Sequence, residues 1–242
     1  LSANYYNQQG IIINSGVQKG SFRLNLDHEV KSWLNLAVNL NVSRREQYSV
    51  PVDNGRRGNN MFSGALSAPP TVPIYDDEGL PVRIGEAYPF TDPGDGRNPM
   101  LRDKPYKSKT LANTILLNNA LNVKITSDLS FTTRLGLQYE NSISDGFSPI
   151  IYANDRGSAS NSTTYWNSFL NENVLTYSKN FDHSLHLTVT GGFTYQTYMS
   201  RSAGISVAGF TNNITENYNL GSAESINPPS SGISESQLVS GL

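Results

Sequence analysis

Strict alternation of apolar and polar residues, repeated in stretch after stretch, constrains this chain more than any other feature. In WLNLAVNLNVS, residues 33–43, Leu34, Leu36, Val38, Leu40 and Val42 take every second position and asparagine fills most of the gaps. Successive side chains leave a pleated backbone on opposite sides, so a period of two specifies a strand with one aliphatic face and one carboxamide face. Asparagine is depleted in strands. A face of Asn35, Ala37, Asn39, Asn41 and Ser43 therefore points to surroundings other than the bulk water of an ordinary soluble sandwich.

The pattern recurs along most of the sequence. Phe22, Leu24 and Leu26 oppose Arg23, Asn25 and Asp27 in residues 18–28. Residues 111–125 alternate with Asn119 and Leu116 out of phase. Residues 129–140 set Leu135, Leu137 and Tyr139 against Arg134, Gly136 and Gln138, and residues 185–196 set Leu187 and Val189 against His186, Thr188 and Thr190. With a noisier strand near 165–179 and another in the first 12 residues, about seven strands are expected.

The order of the connections says how these strands are arranged. Short polar turns follow the strands ending near Asp27, Ile125 and Lys179; long irregular segments follow those ending near Ser43, Glu140 and Gln196. In an up-and-down meander alternate connections lie at the same end, so tight turns collect at one end and large loops at the other, as in outer-membrane barrels. Tyr139, Tyr165, Trp166, Tyr195 and Tyr198 lie toward the loop side and Trp33 beside a short turn, the places of interfacial aromatic girdles. The expected fold is all-β: an antiparallel meander forming part of a large transmembrane β-barrel. On this reading Leu34, Leu36, Val38, Leu40, Leu135, Leu137, Leu187 and Val189 face lipid, and the asparagine–threonine face lines the interior.

Composition removes competing classes. Net charge is −2, without the cationic footprint of a nucleic-acid binder. There is no cysteine for a disulfide or a thiolate-bound metal. No apolar run reaches the roughly 18–20 residues of a membrane-crossing helix, while barrel strands leave hydropathy unremarkable, as is the mean of −0.41. Enzymatic chemistry has no support. His28, His183 and His186 fall beside short turns, no G-x-S-x-G elbow is present, and Asp76 and Asp77 share a turn.

Residues 44–110 read as one long extracellular loop, rich in Pro, Gly and Asp; 141–164 and 197–242 read as exposed loops, and the terminal NPPSSGISESQLVSGL as ending without a strand. Binding would come from loop aromatics and orienting polar groups: Tyr75, Tyr88, Phe90, Asp92, Asp95, Arg97 and Tyr106. DDEG and DPGDG admit a calcium reading, although their spacing fits no EF-hand and such runs are mostly turns.

Four phrases in order carry a family likeness: GIIINSG (10–16), SFRLNLDHEVKSWLNLAVNLNVS (21–43), NPM (98–100) and LNENVLTYSKNFDHSLHLTVTGGFTYQ (170–196). Together they resemble the SusC/RagA class of TonB-dependent outer-membrane transporters of Bacteroidetes. The resemblance implies a 22-stranded barrel closed by an N-terminal plug, energised through TonB and capped by a SusD-like lipoprotein that holds a glycan or peptide. It covers the middle of such a protein. No plug, TonB box or C-terminal strand is recognisable, and VQKG lacks the basic–aromatic pair expected before SFRLN. About seven strands cannot close such a barrel, so a partial barrel domain spanning 1–242 is expected. The competing readings are a soluble all-β carbohydrate-binding module and a passive porin or adhesin barrel.

Overall fold

A computed structural model of the chain describes residues 1–50, 61–84, 98–102, 107–151, 155–181 and 185–242. The strands are β1 (Ser2–Gln9), β2 (Gly16–Lys31), β3 (Leu34–Tyr48), β4 (Lys107–Lys124), β5 (Leu129–Ser148), β6 (Ser158–Phe181), β7 (Leu185–Ala208), β8 (Ser225–Ile226) and β9 (Ser230–Gly241). They form a single antiparallel meander in chain order, with β8 and β9 both pairing β7. Asn227, Pro228 and Pro229 lie between those last two pieces, and proline cannot donate to a ladder.

The expected connectivity holds. β2 turns into β3 at Ser32–Trp33, β4 into β5 at 125–128, and 182–184 joins β6 to β7; the connections 10–15, 49–106, 149–157 and 209–224 lie at the opposite end. Several expectations need correction. The strands continue past Ser43, Glu140 and Gln196 to Tyr48, Ser148 and Ala208, β4 begins at Lys107 and β6 at Ser158, so both ends of the expected loop 44–110, much of 141–164 and the start of 197–242 are strand. The terminal segment is not strandless, because Ser230–Gly241 pairs with Phe193–Gly204 of β7. The cause is the same each time. Near the loop end apolar residues become sparse and the alternation fades, while backbone pairing continues in register.

Directly opposed residues of an antiparallel pair share a face. Phe22, Val42, Ile115 and Tyr139 form one row across β2–β5; Leu24, Leu40, Leu117 and Leu137 form the next. Leu36 stands opposite Leu121, and Val189 opposite Tyr177. All eight residues expected on the apolar face lie on this one face. It is not the inside of a sandwich: Leu135 is 42% exposed and Val189 54%, and the substantial contact to the sheet from outside its strands is a short 3-10 turn on β5 and β6 at the loop end.

The apolar band also slides as the chain proceeds. It ends at Val42 in β3, followed by Arg44, and at Tyr195 in β7, followed by Thr197. The residue of β7 in register with Val42 is Met199, so the band has slipped four residues over four strand steps. With a rise of ~3.3 Å per residue and strands ~4.8 Å apart, a level band requires strands tilted by roughly 35°. Membrane barrels tilt by about that much.

Candidate functional site

The polar face is a continuous wall. Asn35, Asn39 and Asn41 of β3 stand opposite Asn122, Asn118 and Leu116 of β4, and the wall continues through Thr132, Arg134, Gln138 and Glu140 of β5. Its side chains pair across strands. Thr132 Oγ1 donates to Asn122 Oδ1 at 2.8 Å, Arg134 Nη1 to Glu172 Oε1 at 2.7 Å and Thr114 Oγ1 to Glu140 Oε2 at 3.3 Å. Near the short-turn end His186 Nε2 lies 3.0 Å from Thr188 Oγ1 and 3.5 Å from Ser178 Oγ. Such a surface presents hydrogen-bonding groups along its length.

The opposite, apolar face is interrupted in one place. Asn119, Thr133, Asn171 and Asn173 fall within the band of β4–β6. Asn173 Nδ2 donates to Asn171 Oδ1 at 2.7 Å, whereas the buried Asn119 Oδ1 has no partner among the described residues.

At the loop end, the long β3–β4 connection contains a short helix, α1 (Met61–Ser67), a 3-10 turn at Pro99–Arg102 and a hairpin closed by the bridge between Tyr75 and Pro81. Asn98, the first residue of the NPM phrase, is the clamp. Its Nδ2 donates to Ile74 O at 2.8 Å and Val82 O at 3.1 Å, and its Oδ1 accepts from Met100 N at 3.0 Å. Burying an asparagine is tolerable because its donors and acceptor are used. Arg83 then ties this loop to the β5–β6 connection through a 2.9 Å ion pair with Asp155.

Of the residues expected to contact a ligand, Tyr75 is on this hairpin and 44% exposed. Tyr88, Phe90, Asp92, Asp95, Arg97 and Tyr106 lie outside the described residues, as do His183 and the DPGDG run. DDEG is a hairpin turn: Asp76 Oδ1 accepts from Glu78 N at 3.0 Å and Leu80 N at 2.8 Å. Among the described residues no group of three or more acidic or histidine side chains is placed to hold a metal.

Sequence reasoning missed the segment 209–224. It folds over the same face as the apolar band, beyond its loop-side limit. Phe147, Ala159, Val207 and Phe210 form a small core with Ile150, Ile205, Leu220 and Ala223, and the Phe147 and Phe210 rings meet edge-on at 5.9 Å. Asn213 bridges the backbone of Ile150, accepting at 2.8 Å and donating at 2.7 Å. Buried Asn217 exchanges 3.3 Å bonds with Asn161. Lys107 Nζ reaches Glu216 at 3.2 Å and lies 4.1 Å from the Tyr218 ring centroid. The chain leaves β7 at Gly209, φ +86°, where a Cβ would sit 2.9 Å from that of Glu224. The available signal was the pair of glycines, Gly157 and Gly209, beside isolated apolar residues in otherwise polar strand ends.

No protein-family profile matches the chain. Among curated proteins it is similar to TonB-dependent receptor P3 of Formosa agariphila, 26% identical over 99% of this chain and 24% of the relative. It is also similar to TonB-dependent receptor P26 of that organism, 26% identical over 92% of this chain and 22% of the relative. Among solved structures, the RagAB peptide transporter superposes with a TM-score of 0.76 at 18% identity, over 97% of this chain and 26% of that one. The RagAB peptide importer in its "open-open" state gives 0.76 at 18% identity, over 98% and 26%. The chain thus spans about a quarter of the length of the curated relatives it matches. These matches bear out the SusC/RagA-type resemblance and the reading of the meander as a barrel segment.

Proposed function

We propose that the chain is a wall segment of an outer-membrane TonB-dependent transporter that imports a nutrient, an oligosaccharide or a peptide, in a Gram-negative bacterium. The observation that carries this is the two-faced sheet: an exposed apolar band on one side, a predominantly polar hydrogen-bonding wall on the other, and the large loops at one end. Leu34, Leu36, Val38, Leu40, Leu135, Leu137, Leu187 and Val189 meet lipid. The asparagine wall lines the interior, and the loops stand outside the cell, where Tyr75 and the β3–β4 connection, 49–106, meet cargo or a SusD-like lipoprotein. Similarity to TonB-dependent receptors across nearly the whole chain supports import over passive leakage. Segments of the transporter beyond this chain supply the plug and the contact with TonB, and no covalent step is needed.

The test is uptake by cells carrying the complete gene. Import of the cognate nutrient stops when a protonophore collapses the proton-motive force, and a surface lipoprotein copurifies with the barrel. Uptake that persists unchanged in de-energised cells identifies a passive pore.

A further inference from the structure

On the polar wall, three cations gather at the loop-side mouth. Lys19 of β2 and Arg45 of β3 are directly opposed in the antiparallel register, and Arg23 lies on the same face of β2, opposite Asn41. All three are exposed. Both Lys19 and Arg45 lie beyond the Phe22–Val42 row that ends the apolar band, so they are past lipid depth and turned to the interior. Tyr6 of β1 stands opposite Lys19, adding a ring and a hydroxyl to the cluster.

Several other cations have carboxylate partners: Lys107 with Glu216, Lys109 with Glu46, Arg134 with Glu172, Arg156 with Glu224 and Lys179 with Asp128. Among the described residues Lys31, Arg44, Lys124 and Arg201 do not, but none of these stands directly opposite another cation, as Lys19 and Arg45 do. Among the described residues no carboxylate pairs with Lys19, Arg23 or Arg45. On this face Asp27 is two pleat repeats beyond Arg23, and Glu140, two strands away in the Ser43 row, accepts from Thr114. Like charges directly opposed across a strand pair destabilise a sheet. A wall that carries such a pair at its mouth has a ready stabiliser in an arriving anion.

We propose that Lys19, Arg23 and Arg45 form a capture site for carboxylate-bearing oligomers, which makes the imported cargo anionic. Arg45 presents a planar fork suited to bidentate carboxylate binding, and Lys19 a point charge beside it. Arg23, roughly 13 Å along β2 from Lys19, reaches a second carboxylate of the same oligomer. Inside a mouth with low-dielectric walls the field of the cluster is focused, which raises the local concentration of anions even though the chain as a whole is slightly acidic. The inference rests on the barrel reading above, because only there is this face enclosed.

The test uses the full-length transporter in outer membranes, with trigalacturonate and triglutamate as carboxylate probes and maltotriose and trialanine as uncharged ones. The double variant Lys19→Gln/Arg45→Gln is expected to lose roughly tenfold in affinity for the carboxylate probe that the wild type takes, and most of the salt dependence, with binding of the uncharged probe unchanged. Which of the two carboxylate probes binds tells a glycan from a peptide source. Wild-type binding of carboxylate probes by the variant overturns the site. So does an unfolded barrel on heat-modifiable electrophoresis that the milder Lys19→Arg variant restores without restoring probe affinity, since the cations then serve an internal contact. Failure of the barrel reading is distinct: it appears as aqueous, not lipid, surroundings at Leu36.

Discussion

Single residues on the apolar face carry the membrane orientation, and they can be tested one at a time. Leu36 lies mid-band between Leu34 and Val38 and faces Leu121 across the β3–β4 pair. A lysine there exchanges an aliphatic contact with acyl chains for a charge at midplane depth, at a cost of about 2–4 kcal/mol. Leu36→Lys is expected to lower the folded, heat-modifiable fraction of the barrel, whereas Asn39→Lys, on the wall side, leaves it near wild type. Asn119 makes the opposite prediction. Its Oδ1 is buried without a partner among the described residues, so Asn119→Leu removes an unsatisfied acceptor and is expected to raise the urea midpoint of unfolding by the equivalent of about 1 kcal/mol.

At the scale of elements, the sheet was legible in the sequence and the loop architecture was not. Alternation fixed strand identity, face and turn polarity for β2, β3, β5 and β7, because a one-residue slip would move every leucine to the wrong side. It failed at strand ends such as 141–148 and 230–241, where apolar residues are too sparse to alternate while the ladder stays in register. The 209–224 segment was invisible for another reason. Its core is assembled from residues far apart in sequence, Phe147, Ala159, Val207 and Phe210, none of them in an alternating run. That packing is itself testable. Phe147 is 2% exposed, and Phe147→Ala is expected to cost about 3–5 kcal/mol locally. Undocking of 209–224 would then show as rapid proteolytic cleavage within that segment while the strands remain protected. Cleavage at the wild-type rate would contradict the packing. Of the ligand-contacting residues named from the sequence, only Tyr75 falls where its surroundings are described, and the clamp that positions it, Asn98, was visible only as part of a family phrase.

For the whole molecule, the decisive property is what the sheet lacks. Among the described residues, β1 and β9 each have one unpaired edge and none covers the apolar band. Unpaired edges and a large exposed apolar surface make an isolated sheet aggregate in water. Expressed alone, the 242-residue chain is expected to be found in inclusion bodies; in the proposed transporter, neighbouring strands would pair both edges and lipid would cover the band. Both outcomes follow from one arrangement, aliphatic side chains turned to acyl chains and carboxamides turned inward. The most direct measurement places a bimane fluorophore at Leu36→Cys and, separately, at Asn39→Cys in the reconstituted full-length barrel, with brominated acyl chains as quencher. Strong quenching at position 36 and little at position 39 is the predicted result; equal quenching, or the reverse order, would contradict it.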